Sequence, residues 1–486
     1  MNLMTDPTVV AASAQAGDLN LSFEQLQRQH RDAPYPDWPT RADRLKRLSR
    51  LLVDHRQRIA AAISADFGHR SLHETELLEV FPSAEGLRHA LRHGKSWMRE
   101  RGSAVSLWFQ PGSASVLPQP LGVVGIIVPW NYPLFLLMGP LTSALVAGNV
   151  AMIKPSEYTP RFGALMAELL PQALGDDVVR VVNGGPDVAA AFSALPFGHL
   201  LFTGSTAVGR QVMAAASAHL VPVTLELGGK SPAIITAATC ANEARFANAV
   251  RRVVAGKVLN AGQTCIAPDY VLLPAAAMPQ FIAVAKTVLQ KQYPDGAAGD
   301  DYTGIATDRH FDRLRRLIAE STAAGAVATA VMAEPQIAQR KLPLTVLTAC
   351  PADARVMQEE IFGPVLPLVA CETLDAAIDY VNSHPHPLAL YLFDDDKSAQ
   401  ERVLQATLAG GVSINETLMH IAQDSLPFGG VGTSGMGHYH GRFGFDTMSK
   451  LKPIFRQSRI NGLGLLAPPY GGFFARMLKL MVGGAG

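Results

Sequence analysis

Cysteine is scarce in this chain: Cys240, Cys265, Cys350 and Cys371 are four among 486 residues, and no two form a Cys-x-x-Cys pair. That spacing builds neither a thiolate zinc site nor a disulfide framework, no metal is expected, and the usage suits a reducing, cytoplasmic compartment. Charge of one sign is also lacking, since 42 basic side chains meet 41 acidic ones. The molecule as a whole has no field for gripping a polyanion, so nucleic acid is not expected as a partner. Charged residues make up 17% and hydrophobic residues 48%, too apolar for disorder. Residues 1–20 carry Asp6 and Asp18 and lack both a basic start and an apolar core of leader length; they read as a flexible N-terminal tail. Uncharged runs long enough for a membrane are missing too. Leu121–Ile153 has no charged residue, but Pro129, Pro133 and Pro140 cut it into pieces shorter than the roughly 20 residues a spanning helix needs. The apolar run Phe473–Val482 is shorter still and holds Arg476 and Lys479, as a helix packed on the protein or on a partner subunit would.

What is present is alternation. Leu45, Leu48, Leu51 and Leu52 share one helical face, and the Arg88–Arg101 stretch interleaves bases with Leu87, Leu91 and Trp97 as a half-buried helix does. From Val123 the pattern predicts strand Val123–Val128, helix Leu134–Ala147, strand Val150–Ile153, and a helix through Leu170 with Thr159 as its N-cap and Pro160 its first residue. Strands at Val178–Val182, His199–Phe202 and Val223–Leu227 enclose helices Asp187–Ala194 and Ala207–Ala218. Such alternation with short links makes a doubly wound parallel sheet. It resumes with helix Ala241–Leu259, strand Tyr270–Leu273, helices Met278–Tyr293 and Asp308–Ala324, strand Val365–Val369, helix Leu374–Ser383, and strands Leu388–Phe393 and Val412–Asn415. The expected fold is therefore α/β: a Rossmann-like cofactor domain (21–102 and 120–225), a second α/β catalytic domain (226–439) and a small β bridging or oligomerisation element (103–119 and 440–460), with 461–486 a C-terminal tail.

The sharpest chemical feature is Asn260-Ala261-Gly262-Gln263-Thr264-Cys265, a small, polar loop at a helix end that carries a thiol. Small neighbours let a thiol face a cleft, and a thiolate can trap a carbonyl and later release an acid, because its thioester hydrolyses readily. For the other three cysteines a buried structural role is the better reading. Glu226, between Leu225 and Leu227 at a strand end, sits where desolvation raises a carboxyl pKa toward neutrality and makes a competent base; pairing with a nearby cation is the alternative. Gly204-Ser205-Thr206-Ala207-Val208-Gly209 lacks the middle glycine of the dinucleotide fingerprint and is a weak signal by itself, though a helix starting at Ala207 can offer N–H groups to phosphate.

Together with Pro129-Trp130-Asn131-Tyr132-Pro133, Leu225-Glu226-Leu227-Gly228-Gly229-Lys230, Phe202-Thr203-Gly204-Ser205-Thr206 and Glu360-Ile361-Phe362-Gly363-Pro364, the cysteine loop resembles the aldehyde dehydrogenase superfamily from about Arg44 to Gly444. Leu426-Pro427-Phe428-Gly429-Gly430 and Ser434-Gly435-Met436-Gly437 look like its class 3 branch, and within it like the coniferyl aldehyde dehydrogenases. The resemblance implies oxidation of an aldehyde to the acid through a Cys265 thioester, with hydride passing to a nicotinamide dinucleotide. Asn131 would hold the oxyanion beside the backbone N–H of Cys265, and Glu226 would activate water. Lys154 and Glu157 would hold the adenine ribose, and Glu157 should disfavour a 2′-phosphate, so that NAD is expected with NADP accepted. Gly204 and Ser205 would approach the pyrophosphate. Glu360 would bind the nicotinamide ribose, Phe362 would pack near the nicotinamide, and Trp130 would flank the channel. Gly185 is read either as a close approach for the cofactor or as a plain turn glycine.

Tyr132, Leu134, Phe135, Met138, Met419 and Phe428 would line an apolar aldehyde entrance with His420 and Gln423 as polar contacts, suiting aromatic or medium to long aliphatic aldehydes. Class 3 relatives imply a homodimer using the strand near Lys450–Phe455 and the Ser103–Gln119 excursion. Ser449-Lys450 departs from the Ser-His pair of close relatives, which bears on packing there and not on the chemistry. Three rivals are weighed against this reading: a cysteine-dependent esterase or thioesterase without cofactor, a coenzyme A-acylating semialdehyde dehydrogenase, and a noncatalytic structural protein. Lys154, Glu157 and Glu360 argue against the first, Glu226 against the second, and the intact Cys265, Asn131 and Glu226 against the third.

Overall fold

The computed structural model describes residues 7–333 and 340–483. Its strands in chain order are β1 Arg101–Ser103, β2 Ser113–Pro120, β3 Val123–Ile127, β4 Val150–Lys154, β5 Val179–Val181, β6 His199–Gly204, β7 Val223–Leu227 and β8 Pro232–Ile235. There follow β9 Tyr270–Leu273, β10 Val327–Ala330, β11 Thr345–Thr348, β12 Val365–Ala370, β13 Ala389–Phe393, β14 Gly411–Ile414, β15 Gly435–Met436 and β16 Ser449–Arg456.

Three sheets result. The first runs β15-β7-β6-β3-β4-β5, parallel except for β15; the second runs β10-β11-β12-β9-β8-β13-β14, parallel except for β10. The Val, Ile and Leu runs of β3, β4, β8, β9 and β13 are buried at every position, as strands covered on both faces must be. Helix Phe135–Ala147 is apolar on nearly every side and buried along its length, and Gly148 ends it in a left-handed conformation (φ 95°). Next, Asn149 accepts from the N–H groups of Leu121 (2.7 Å) and Gly122 (3.0 Å) and donates to Met448 O (2.8 Å), tying the start of β3 to the approach to β16. The third sheet, β1-β2-β16, joins the excursion after residue 100 to the strand near residue 450 through eight register pairs from Ser449–Pro120 to Arg456–Ser113.

Several boundaries differ from the expectation. A helix spans Pro7–Asp32, and Leu19, Phe23 and Leu26 bury themselves against the first sheet, so the tail expected over residues 1–20 is helical from Pro7; its first six residues lie outside the described ones. The expected domain limit at 225/226 falls inside β7, and β15 returns to pair with Glu226 and Leu225. Gly441–Thr447 is a helix packed on Phe135–Ala147, so only residues from Ser449 join the bridging sheet. Thr159 stands at the N-cap of helix Pro160–Leu174, but its hydroxyl donates to Ser156 O instead of capping. The helix expected over Ala241–Leu259 is broken by Asn242, which caps Glu243–Val258 by accepting from the Arg245 N–H (3.0 Å). Four-residue β8, β10 and β11 and helix Lys397–Ala406 had no counterpart in the sequence reading. The terminal helix Gly472–Gly483 is present and buries none of its residues against the rest of the chain, so of the two packings expected for Phe473–Val482 the one on the protein itself is not found.

Candidate active site

The cysteine loop is a forced backbone. After helix Glu243–Val258 the chain takes positive φ at Asn260 (52°), Ala261 (51°) and Gly262 (73°) before reaching Cys265. Non-glycine residues tolerate this only where the surroundings over-determine it. Those surroundings are polar and buried: Asn260 donates from its amide to Asn131 O (3.0 Å) and Gln263 O (3.1 Å), and its own N–H donates to Glu74 Oε1 (3.1 Å). Gln263 donates to Asn260 O and Gly304 O and accepts from the Ala306 N–H (2.9 Å). At Gly262 a Cβ would meet the Gly363 carbonyl oxygen at 2.5 Å, which is why this position is glycine. Cys265 emerges partly exposed. Burial pushes its thiol well up, the carboxylates of Glu360 and Glu226 add to that, and the backbone N–H groups of Cys265 and Ile266 work in the opposite direction.

Asn131 and Glu226 open onto the same cleft, of about 590 Å³, as Cys265. The Asn131 amide uses one hydrogen on Gln263 O (3.2 Å), which leaves its second free for a ligand. Tyr132 hydrogen-bonds Thr264 Oγ1 (2.8 Å), fixing the residue before the thiol. Glu226 is 2% exposed and neither carboxylate oxygen has a partner. The cation pairing entertained for it is absent among the described residues, and burial alone raises its pKa well above the carboxyl range. The arrangement can form and hydrolyse an acyl-sulfur bond: a nucleophile, an amide donor and a carboxyl group made more basic by desolvation share one space.

The cleft also holds a nucleotide-sized set of contacts. Lys154, 1% exposed, pairs with Glu157 at 3.1 Å on the rim. Ser205 caps helix Thr206–Ser217 by accepting from the Val208 N–H at 3.4 Å, and the first N–H groups of that helix face the cleft side of β6. A Cβ on Gly204 would run into the Phe202 ring at 2.5 Å. Glu360 lies over Gly228, where a Cβ would overlap its carboxylate; burial first, then Asp269, pushes its pKa up to about 8, and the Gly229 N–H, Lys230 and Arg313 oppose this. Phe362 (φ 51°) and Trp130 meet edge to face, 5.4 Å between centroids. Gly185 has extended backbone at the N-cap of helix Pro186–Ser193, nothing lies within 4 Å of a Cβ built there, and it is not among the residues of the cleft wall, although Pro186 beside it is. Among the wall residues that escaped the sequence reading, two hold the Glu360–Phe362 turn. His310 hydrogen-bonds Phe362 O (2.6 Å) and Arg313 donates to the Ile361 and Glu360 carbonyls, steadying the strained Glu360–Phe362 turn from helix Asp308–Ala323. Their i, i+3 spacing after the Thr307 cap was the available signal.

None of the eight residues expected at the aldehyde entrance is among those lining this cleft. Phe135 and Met138 line a separate cavity of about 30 Å³ together with His440. Leu134 is core, wholly buried, with its N–H on Glu79. Met419 is half exposed at the surface, and the side-chain amide of Gln423, also exposed, donates to the Met419 carbonyl (3.2 Å). His420 and Phe428 belong to an aromatic layer: His420 stacks on Phe428 (6.1 Å), Phe428 on His440 (5.6 Å), and His440 meets Phe135 edge-on (6.0 Å), whereas Tyr132 lies under the Arg70 guanidinium. Burial lowers both histidines to about 4, so they are neutral. Tyr439, also missed, is wholly buried behind this layer with an unpartnered hydroxyl on which Glu226 and Cys265 both act.

The model of the "Aldehyde dehydrogenase family" matches residues 6–454. A "Probable coniferyl aldehyde dehydrogenase" of Pseudomonas aeruginosa is 50% identical over 450 residues, 92% of this chain and 93% of that protein. A "Coniferyl aldehyde dehydrogenase" of a Pseudomonas species is 41% identical over 473 residues, 96% of this chain and 97% of that protein. Among solved structures, the "Substrate bound state of Staphylococcus Aureus AldH" superposes with a TM-score of 0.89 at 34% identity, over 95% of this chain and 99% of that one.

Proposed function

The chain belongs to the aldehyde dehydrogenase family, an NAD(P)-dependent oxidoreductase family, and from that premise we propose that it oxidises aromatic aldehydes of the coniferyl type, with NAD preferred, through a thioester on Cys265. The observation that carries the mechanism is the shared cleft of Cys265, Asn131, Glu226 and Glu360, with both Glu226 oxygens unpartnered. Sulfur adds to the aldehyde carbon, and the free Asn131 N–H with the Cys265 N–H receives the oxyanion. A nicotinamide dinucleotide held by Glu360 and Phe362 would supply the hydride acceptor for this adduct. Glu226 then removes a proton from water as it attacks the thioester; the C–S bond breaks, and the acid and the thiol are released.

The residues present fit the dinucleotide. Lys154 and Glu157 suit the adenine ribose, the start of helix Thr206–Ser217 with Gly204 and Ser205 suits the pyrophosphate, and Glu360 and Phe362 suit the nicotinamide ribose and ring, with Trp130 beside them. Glu157 at the rim opposes a 2′-phosphate, and its pairing with Lys154 softens that opposition, which supports NAD over NADP. The 50% and 41% identities to proteins named coniferyl aldehyde dehydrogenases support an aromatic substrate. No described helix is long and apolar enough to cross a membrane. A cytoplasmic homodimer is the reading we favour, supported by the free edge of β16 with exposed Leu451 and Phe455 and by four unpaired cysteines. A panel of aromatic and aliphatic aldehydes with NAD and with NADP, followed by absorbance of the reduced cofactor, tests it: higher kcat/KM on long aliphatic aldehydes would overturn the aromatic assignment.

A further inference from the structure

Two charged residues that carry none of the chemistry above are placed where they control it. Arg70 and Glu79 are both completely buried and paired at 2.7 Å. Arg70 Nη1 also donates to the backbone carbonyl of Asn131 (3.1 Å), the same oxygen that accepts from the Asn260 amide. The second Glu79 oxygen accepts from the N–H groups of Leu134 (2.7 Å) and Phe135 (3.1 Å), at the entrance to helix Phe135–Ala147. The irregular segment from Asn131 to Phe135 is thus gripped at both ends by one ion pair, and the guanidinium lies over the Tyr132 ring (4.9 Å) and the Phe67 ring (5.2 Å).

As a stabilising device this is poor design. Buried ion pairs repay their desolvation only when every hydrogen-bonding group is satisfied, and Arg70 Nε and Nη2 have no partner. Its geometry has another use. The Asn131 side chain already spends one N–H on Gln263 O, so the direction of its second is set by where the Asn131 backbone stands. A displacement of about 1 Å in such a donor can cost on the order of a hundredfold in rate.

We propose that the Arg70–Glu79 pair is the positioning device for the oxyanion donor Asn131, holding the Asn131–Phe135 segment so that the free amide hydrogen points at the oxygen of the carbonyl group whose carbon the Cys265 sulfur attacks. This rests on the reading of Asn131 given above. The test uses the full-length enzyme with NAD and follows the pre-steady-state burst of reduced cofactor for Arg70→Met, Arg70→Lys, Glu79→Gln, the Arg70→Met/Glu79→Gln pair and Asn131→Ala. The neutralised pair should keep the melting temperature and the KM for NAD, yet lose about tenfold or more in burst rate, and Arg70→Lys should recover part of that loss. Introduced on top of Asn131→Ala, Arg70→Met should slow the burst by less than about twofold, because the two act through one donor. A folded Arg70→Met/Glu79→Gln enzyme with the native burst rate overturns the proposal, as does an Arg70→Met effect equally large with and without Asn131. If Arg70→Met does not fold, the Glu79→Gln and Arg70→Lys burst rates decide. An unchanged burst in Asn131→Ala would instead remove the reading of Asn131 and this proposal with it.

Discussion

Replacing Glu226 with glutamine keeps the shape of the side chain and removes its capacity to take a proton. Both its oxygens are unpartnered and 2% exposed, so the substitution breaks no hydrogen bond, and changes in rate report on proton transfer and not on collapse of the site. Loss of a general base costs roughly 10²- to 10⁴-fold. That loss should fall on steady turnover, while stopped-flow absorbance still shows a burst of reduced cofactor near the enzyme concentration. Since burial raises the Glu226 pKa, turnover of the native enzyme should decline as pH falls through that raised value, and the residual turnover of Glu226→Gln should lack this limb. Stability moves the other way. Between the ordinary carboxyl pKa and the raised one, the folded protein holds a proton that the unfolded chain has lost, so the native enzyme forfeits about 1.4 kcal/mol per pH unit as pH rises through that window. Glu226→Gln should therefore melt higher than the native enzyme above the raised pKa and at nearly the same temperature below pH ~4.5. Unchanged steady turnover at neutral pH would refute the assignment of the base, and an equal melting temperature at all pH values would refute the burial argument.

Cys265→Ala should abolish reduction of the cofactor with every aldehyde while leaving NAD binding, measured calorimetrically, intact, because the thiol lies in the cleft without holding its walls together. Glu157→Gln should raise kcat/KM with NADP relative to NAD by about tenfold, since a rim charge opposing the 2′-phosphate disappears while solvent screening keeps the effect modest. Far from the cleft, Asn149→Ala should cost about 2–4 kcal/mol and lower the melting temperature without changing KM. It strands the Leu121 and Gly122 N–H groups and the Met448 carbonyl in a buried position.

The sequence was most legible where one residue type has one use. Apolar runs such as Val123–Ile127 and Ala389–Phe393 can only be covered strands, and the Asn260–Cys265 loop announces itself by small polar residues at a helix end. Legibility fell where a side chain departs from its usual setting. Arg70, Glu74 and Glu79 are all buried, because the groups that bond them, on Asn131, Leu134, Asn260 and Thr303, lie 55 to 229 residues away in sequence. Leu134 shows a related limit: it is as apolar as a pocket residue should be, and only tertiary packing shows it to be core. Short strands such as β8 and β15 carry too few residues for a period to emerge.

The pairing of β2 with β16 has a further consequence during synthesis. β2 ends at Pro120 and its partner begins at Ser449, and β15, which flanks Glu226, arrives only at Gly435. At about 5–20 residues per second, roughly 15 to 65 s separate the emergence of β2 from that of its second neighbour. For that interval β2 has only the three-residue β1 beside it, and the nascent chain carries a bare strand edge open to sticking. The enzyme gains its last active-site strand and the cover for that edge almost together, so a chain stalled before residue 435 would be both inactive and adhesive, and a natural client for chaperones.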